Sequence, residues 1–316
     1  MPAAPPVVLT IAGFDPSSGA GVTADIKTIA AHECYAIACM TALTVQSTQG
    51  VGRVEPVDSR VITETLNELA SDFDIDAVHI GMLGNESAAR AVAEFLEKNA
   101  LPHIVLDPIL RSSSGADLLD PAGIRLMVDR LFPLSEVITP NLEEALALTD
   151  GRTGVSAPHL QPPENIVSSP QTIDLMREAA RHLHALGAAN VVVTGGDFRP
   201  RTPKTGVPGA PEKAVDLLSF TTGHGIEQEV FKAERQRSTS THGTGCAFSS
   251  GLACHLAHGR GLPEAVLLSK AYISAAISNA YPLGHGNGPL HHLYRMHQQR
   301  RAMKIISEAE HAHSRN

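Results

Sequence analysis

Tryptophan is absent from this 316-residue chain, and aromatic residues make up only 4% of it. A core with so few large rings must be built from Ala, Val, Ile and Leu, which suits helices packed on a parallel sheet. Cysteine is scarce too: Cys34, Cys39, Cys246 and Cys254 are the four present. None forms a C-x-x-C pair, so zinc-ribbon and thioredoxin-like motifs are excluded. A disulfide framework does not fit so large and Cys-poor a chain, and the thiols read as reduced, in a cytoplasmic protein. Basic charge is also lacking, with a formal net charge of −8. That argues against a broad nucleic-acid surface but leaves room for a small anion held by local backbone dipoles. No apolar run reaches the length of a membrane span, and the opening MPAAPPVVLT has no basic region of the kind that starts a signal peptide. The 16 histidines include no H-E-x-x-H pattern, so no tight protein-only metal site is expected.

What the chain does contain is an alternation of short apolar runs and helical patterns. VVLTIAG (7–13), AIACMTAL (36–43), AVHIGML (77–83), HIVLDP (103–108), EVITPN (136–141) and NVVVTGG (190–196) read as strands. TADIKTIAAHE (23–33), VITETLNELASDF (61–73), SAARAVAEFLEKN (87–99) and LMREAARHLHALG (175–187) read as helices, as do segments at about 246–258 and 263–280. The alternation predicts an α/β fold with a mainly parallel sheet covered on both faces. Ligands then bind outside the carboxyl ends of the strands. Two stretches rich in Pro, Gly and polar residues, 151–171 and 198–214, read as insertions, either lids or disordered segments. Residues 1–295 read as one domain, followed by a charged tail over 296–316.

Three places could carry chemistry. In GTGCAFSSGLACHLA, backbone N–H groups of a Gly-rich turn at a helix N-terminus could hold an anion; the plain alternative is a helix entry with Ser and Thr caps. Cys246 would be the first helical residue, where the helix dipole lowers a thiol pKa, or else a small buried hydrophobe. GFDPSSGAGVTADIKT (13–28) joins a strand to a helix, but it is neither a P-loop nor G-x-G-x-x-G. It could hold a polar ligand through backbone groups and Asp25, or be an ordinary turn with Asp25 favoured by the dipole. Asp107 ends a strand, and Asn141 and Glu144 open a helix. These carboxylates could help hold Mg²⁺ through water, or Asn141 could simply cap the helix.

Seven stretches, taken in order, resemble one family. They are LTIAGFDPSSGAGVTADIKT, TALTVQSTQGV, IGMLGN, VLDPIL, ITPNLEEA, STHGTGCAFSSGLA and GHGNGPLHHL, running from about residue 9 to 293. Together they are similar to the hydroxymethylpyrimidine/phosphomethylpyrimidine kinases of thiamine biosynthesis, within the ribokinase-like superfamily. The resemblance implies a mainly parallel sheet flanked by helices, and often a homodimer. It implies ATP and Mg²⁺, a pyrimidine alcohol and then its monophosphate as acceptors, and no nucleic-acid or membrane partner. It assigns Asp25 and Gln46 to hydrogen bonds with the pyrimidine and Met82 and Ile109 to its ring, with Gly13 and Ala20 on the same side. It places Asn141, Thr194, Gly196 and Thr241 toward ATP, and Asp107 and Glu144 toward Mg²⁺. Gly243, Thr244 and Gly245 cradle the moving phosphate, and Cys246 stands where other ribokinase-like enzymes carry an Asp base. The family usually has Lys where this chain has Thr194, and often where it has Ser113. Arg111, or a basic residue of 199–204, is the expected replacement. The same motifs leave two alternatives: pyridoxal kinase, and a kinase-fold protein that binds pyrimidine or ATP without catalysis. Gln46 and Met82 favour the pyrimidine kinase.

Overall fold

The computed structural model describes residues 4–112, 115–149, 170–195, 213–236 and 238–296. Nine strands form one sheet. They are β1 (Val7–Phe14), β2 (Tyr35–Ser47), β3 (Gly50–Pro56), β4 (Ala77–Ile80), β5 (Ile104–Leu106), β6 (Val137–Ile138), β7 (Val191–Thr194), β8 (Lys213–Thr222) and β9 (Gly225–Glu234). Their order is β3-β2-β1-β4-β5-β6-β7-β8-β9. The run from β2 to β7 is parallel; β3, β8 and β9 are antiparallel. From β1 the chain goes outward to β2 and then returns past β1 to β4. Strand order therefore reverses between β1 and β4, and a crevice opens at their carboxyl ends.

Among the described residues the α-helices are α1 (Gly21–Ala31), α2 (Ser59–Asp72), α3 (Glu86–Lys98), α4 (Pro121–Leu126), α5 (Leu142–Thr149), α6 (Pro170–Ala185), α7 (Thr244–Ala257) and α8 (Leu262–Ser278). A π-helical turn, Met127–Leu131, continues α4. Local chemistry sets several starts. Asn85 accepts from Ala88 N at 2.9 Å, and Asp120 accepts from Gly123 N at 2.6 Å ahead of Pro121. Each bond satisfies an amide that the first helical turn leaves without a partner.

Successive residues of the central strands face opposite layers. Val8, Ala77, Val105, Val137 and Val192 meet Ile29 of α1 and Phe248 and Leu252 of α7, with Ala265 and Val266 of α8 behind. Leu9, Ile11, Val78, Ile80 and Leu106 face the other side, toward Ile62 and Leu66 of α2 and Val92 and Leu96 of α3. Burial of each Val, Leu or Ile there contributes roughly 1.5–3 kcal/mol. The six predicted strands and six predicted helices all form, with shifted ends. Hairpin β2–β3, the β8–β9 pair and α4 were not anticipated. The two expected insertions and the tail lie outside the described residues, except that 170–171 open α6, 213–214 open β8 and Met296 ends the described chain.

Candidate active site

The crevice is lined from the ends of β1, β2 and β4–β7 and from the starts of α1, α5 and α7. Gly13 lies near the end of β1. A Cβ built on it would lie 2.9 Å from Met82 Sδ, just past β4, so only hydrogen lets the Met82 side chain lie there. Met82, Ala42 and Leu118 form a small apolar cluster, with Ile109 and Val54 packed against it. The two residues expected at a ring, Met82 and Ile109, therefore share one patch.

Loop 15–20 carries α1 over this patch. The Asp15 carboxylate accepts from Ser17 N at 2.8 Å, Gly19 N at 3.2 Å and Ala20 N at 2.9 Å. The sequence left open whether this stretch holds a polar ligand through its backbone or is an ordinary turn; Asp15 takes up these three amides, as in a self-satisfied turn. His242 Nε2 lies 2.9 Å from Asp15 Oδ2 and 3.1 Å from the Gln46 amide. Since Nε2–H donates to Asp15, it cannot also accept from Gln46. With the amide turned, Gln46 Oε1 shares that proton, and its NH₂ donates to Thr44 Oγ1, which itself donates to Phe14 O. Burial opposes ionisation of Asp15, but the bonds from His242 and Ser17 outweigh it and hold its pKa below the usual value. Neither Asp15 nor His242 was singled out from sequence. The Asp-Pro-Ser-Ser run, in which a carboxylate can fold back on the next amides, was the signal for the first.

The Gly-Thr-Gly turn meets this loop directly. Gly243 is left-handed, φ +80°, and no side chain caps α7 behind it. A Cβ at Gly243 would stand 2.0 Å from Gly19 O. The helix begins at Thr244, two residues before the expected start, so Cys246 lies within its first turn. The backbone of Gly21 and of Cys246 itself favours the thiolate only weakly. The sequence predicts a lowered thiol pKa there; the structure reverses that. Burial first, then the charges of Asp25 and Asp107, push the thiol well above its usual value. Thr241 lies on the segment entering the turn, which is backed by residues 286–289. His242 N donates to Gly288 O at 3.0 Å, and Asn287 N to Thr48 O at 2.8 Å.

Beneath the turn lies a buried polar chain. Asp25 and His79 are fully buried. Thr10 Oγ1 donates to Asp25 Oδ2 at 2.8 Å and lies 3.2 Å from His79 Nδ1. His79 Nε2 lies 2.9 Å from Ser249 Oγ, which is 3.4 Å from Asp107 Oδ2. Burial alone would lower the His79 pKa, but Asp25 and then Asp107 raise it above the usual value. Asp25 Oδ1 is buried and has no hydrogen-bond partner.

On the far side, Asn141 and Glu144 cap each other across the start of α5. Asn141 N donates to Glu144 Oε2 and Glu144 N to Asn141 Oδ1, each at 2.9 Å. Asn141 bridges to Thr194, which ends β7. Gly195 N donates to Asp216 Oδ1 at 3.0 Å, and Lys270 Nζ reaches Asp216 Oδ2 at 2.5 Å. Arg235 reaches Gly195 O at 3.5 Å, which puts a guanidinium beside the end of β7. Arg111, the expected stand-in cation, is exposed and paired with Asp117 at 2.7 Å. Gly196, Ser113 and the basic residues of 199–204 lie outside the described residues. Among the described residues no cluster of three His, Cys, Asp or Glu could hold a metal alone. Asp107 and Glu144 are all-oxygen ligands, and Mg²⁺ is commonly bound through one or two carboxylates with substrate phosphates and water completing its shell, so the donor set fits.

The sequence profile of the phosphomethylpyrimidine kinase family matches residues 15–291. The thiamine biosynthesis bifunctional protein ThiED of Geobacter sulfurreducens is 37% identical over 286 residues, covering 90% of this chain and 52% of that protein. This chain thus spans about half its length. The hydroxymethylpyrimidine/phosphomethylpyrimidine kinase of Escherichia coli is 35% identical over 288 residues, covering 90% of this chain and 97% of that enzyme. Among solved structures, an ADP complex of Bacillus subtilis pyridoxal kinase superposes with TM-score 0.74 at 31% identity, covering 93% of this chain and 100% of that one. The phosphomethylpyrimidine kinase of Clostridium difficile superposes at 0.66, also 31% identical, covering 86% and 99%.

Proposed function

The chain belongs to the phosphomethylpyrimidine kinase family and is a phosphotransferase; from that premise we propose that it moves the ATP γ-phosphate to 4-amino-5-hydroxymethyl-2-methylpyrimidine and then to the monophosphate, in thiamine biosynthesis. One observation carries the reading. Gly243 packs on Gly19, so the uncapped start of α7 and the patch of Gly13, Met82 and Ile109 share one crevice. The acceptor ring lies on Met82 and Ile109, with Gln46 and Asp25 at its polar edge and Gly13 and Ala20 bounding it. Asp25 Oδ1, buried and without a partner, is the kind of acceptor that a ligand amine would satisfy.

The phosphate side is built from Thr241, Gly243, Thr244 and Gly245, whose backbone and helix dipole favour an anion. Asn141 and Thr194 face the nucleotide, and Arg235 beside Gly195 supplies a cation close to the position where relatives carry Lys. Asp107 and Glu144 would hold Mg²⁺, which when bound neutralises phosphate charge. Cys246 is a neutral thiol in the free protein, given its raised pKa. It orients the acceptor hydroxyl by a hydrogen bond, and the hydroxyl proton leaves late, onto an oxygen of the arriving phosphoryl group. Phosphoryl transfer passes through a loose transition state in which alignment outweighs nucleophile activation, so this order suffices. Two copies pair through the exposed apolar residues of β2, Met40, Leu43 and Val45. The four thiols are free and buried, and no described helix is long and apolar enough to cross a membrane; a cytoplasmic enzyme fits both.

The likeness to pyridoxal kinases favours pyridoxal as the second acceptor to test, since the superposition on the Bacillus subtilis enzyme is the better of the two. The test is ADP release with the pyrimidine alcohol, its monophosphate and pyridoxal. The expected order places the pyrimidine first in kcat/KM. Cys246→Ala is expected to lose roughly 10²- to 10³-fold in kcat and little in KM, as for a group engaged in the transition state. A preference for pyridoxal, or binding without ADP release, overturns the proposal.

A further inference from the structure

We propose that His79 is a positioning residue: an imidazolium held between Asp25 and Asp107 that ties the substrate-binding carboxylate to the helix carrying Cys246. It rests on the reading of Asp25 as a contact to the acceptor. The geometry is that of two arms leaving one ring. Nδ1 lies 3.2 Å from Thr10 Oγ1 and 3.4 Å from Asp25 Oδ2, and Thr10 passes its own proton to Asp25 at 2.8 Å. With Thr10's proton committed to Asp25, Nδ1 faces only acceptors and must carry a proton of its own.

On the other arm Nε2 faces Ser249 Oγ at 2.9 Å. The Ser249 hydroxyl has three acceptors in reach: Gly245 O at 3.0 Å, Cys246 O at 3.1 Å and Asp107 Oδ2 at 3.4 Å. With the Ser249 proton given to Asp107, the one charged acceptor of the three, Nε2 donates to Ser249 Oγ. A ring that donates on both sides is a cation, and burial makes that acceptable only because carboxylates flank it.

Thr10, His79 and Ser249 are fully buried, so they add no contact to solvent; Asp25 is the member read as touching the acceptor. What the chain does is fix relative position. The Asp25 end belongs to α1 and the Ser249 end to the first turns of α7, so the ring sets the distance between the acceptor's carboxylate and the phosphate turn. It also leaves Asp25 Oδ1 as the one oxygen of that carboxylate without a partner. A misplacement on the order of 1 Å between reacting groups can cost ~10²-fold in rate.

The test uses the full-length protein with ¹⁵N-labelled histidine, the His79 ring being assigned through bonds to its backbone. At pH 8, without ligand, both His79 nitrogens are expected to carry protons, and their resonances to move when the pyrimidine alcohol is added without nucleotide. In kinetics, His79→Gln is expected to raise KM for the alcohol by about tenfold or more while KM for ATP stays within about twofold. Thr10→Val removes only the arm to Asp25 and should show the same selective rise; it provides the kinetic test if His79→Gln does not fold. A neutral His79 ring, or equal changes in both KM values, overturns this inference and leaves the proposed substrate standing. A wild-type protein that fails to bind the alcohol overturns both.

Discussion

His32, His255 and His292 surround the lower ends of α1, α7 and α8, where their imidazoles are buried and uncharged. Burial first, then neighbouring cations in the same cluster, lowers the pKa of His255 and His292 to about 3; burial lowers that of His32 to about 4, partly opposed by its bond to Thr28 O. Unfolded, each would titrate near ~6.5. Below that pH the unfolded chain takes up protons that the native one refuses, so stability is lost as pH falls from about 6.5 toward 4. Each group contributes at most about 1.4 kcal/mol per pH unit. His79 works in the opposite sense, its raised value adding stability below ~6.5 that is lost as pH climbs through it. Three groups outweigh one, so urea midpoints are expected to drop from pH 7 to pH 5, and His255→Asn to flatten that slope by about a third. A flat profile would show that these rings accept protons in place. At this scale the sequence was uneven. Gly-Thr-Gly-Cys and Asp25 stood out because Gly-rich turns there lead into helices, whereas Gln46, near the end of β2, came from the family resemblance alone. His79 and His242 did not, because a histidine's role depends on partners distant in the chain, here Ser249 and Asp15.

Helix α7 is the element that joins site to core, and it starts at a residue no side chain can replace. At Gly243 the backbone is left-handed and a methyl group would overlap Gly19 O. Gly243→Ala must push apart the α1 loop and the phosphate turn. The expected outcome is a loss of kcat/KM of at least ~10²-fold with the far-UV spectrum retained, read from ADP release and circular dichroism. Activity near wild type would mean that the two halves of the crevice need not touch. Strands β1, β2 and β4–β7 were legible as apolar runs since both faces of a parallel sheet are covered. The outer strands were not. No residue of β9, GIEQEVFKAE, is buried, and β8 begins inside a stretch whose Pro and Gly content reads as loop. Helix α4 is six residues long and starts at Pro121, too short for a period to show.

At the scale of the whole molecule, β2, next to the edge strand β3, presents exposed apolar residues on its face. Met40, Leu43 and Val45 of β2 are each more than two-fifths exposed, and a second copy would cover them. Light scattering on a sizing column is expected to give twice the chain mass, and Leu43→Glu with Val45→Glu to give a monomer that still binds ATP. A wild-type monomer at micromolar concentration would end that proposal. The alternation of runs in the sequence made the layered architecture readable; how copies meet was not, since exposed apolar residues within a strand look like buried ones until the sheet edge is known. All four cysteines, finally, lie beneath the surface. Cys246 alone faces the crevice, so a small alkylating reagent reaches it by the substrate's own route, whereas Cys39 and Cys254 react only when the fold opens. Chemical inactivation through Cys246 is thus a report on whether the crevice is occupied, and labelling of the other two is a clock of unfolding.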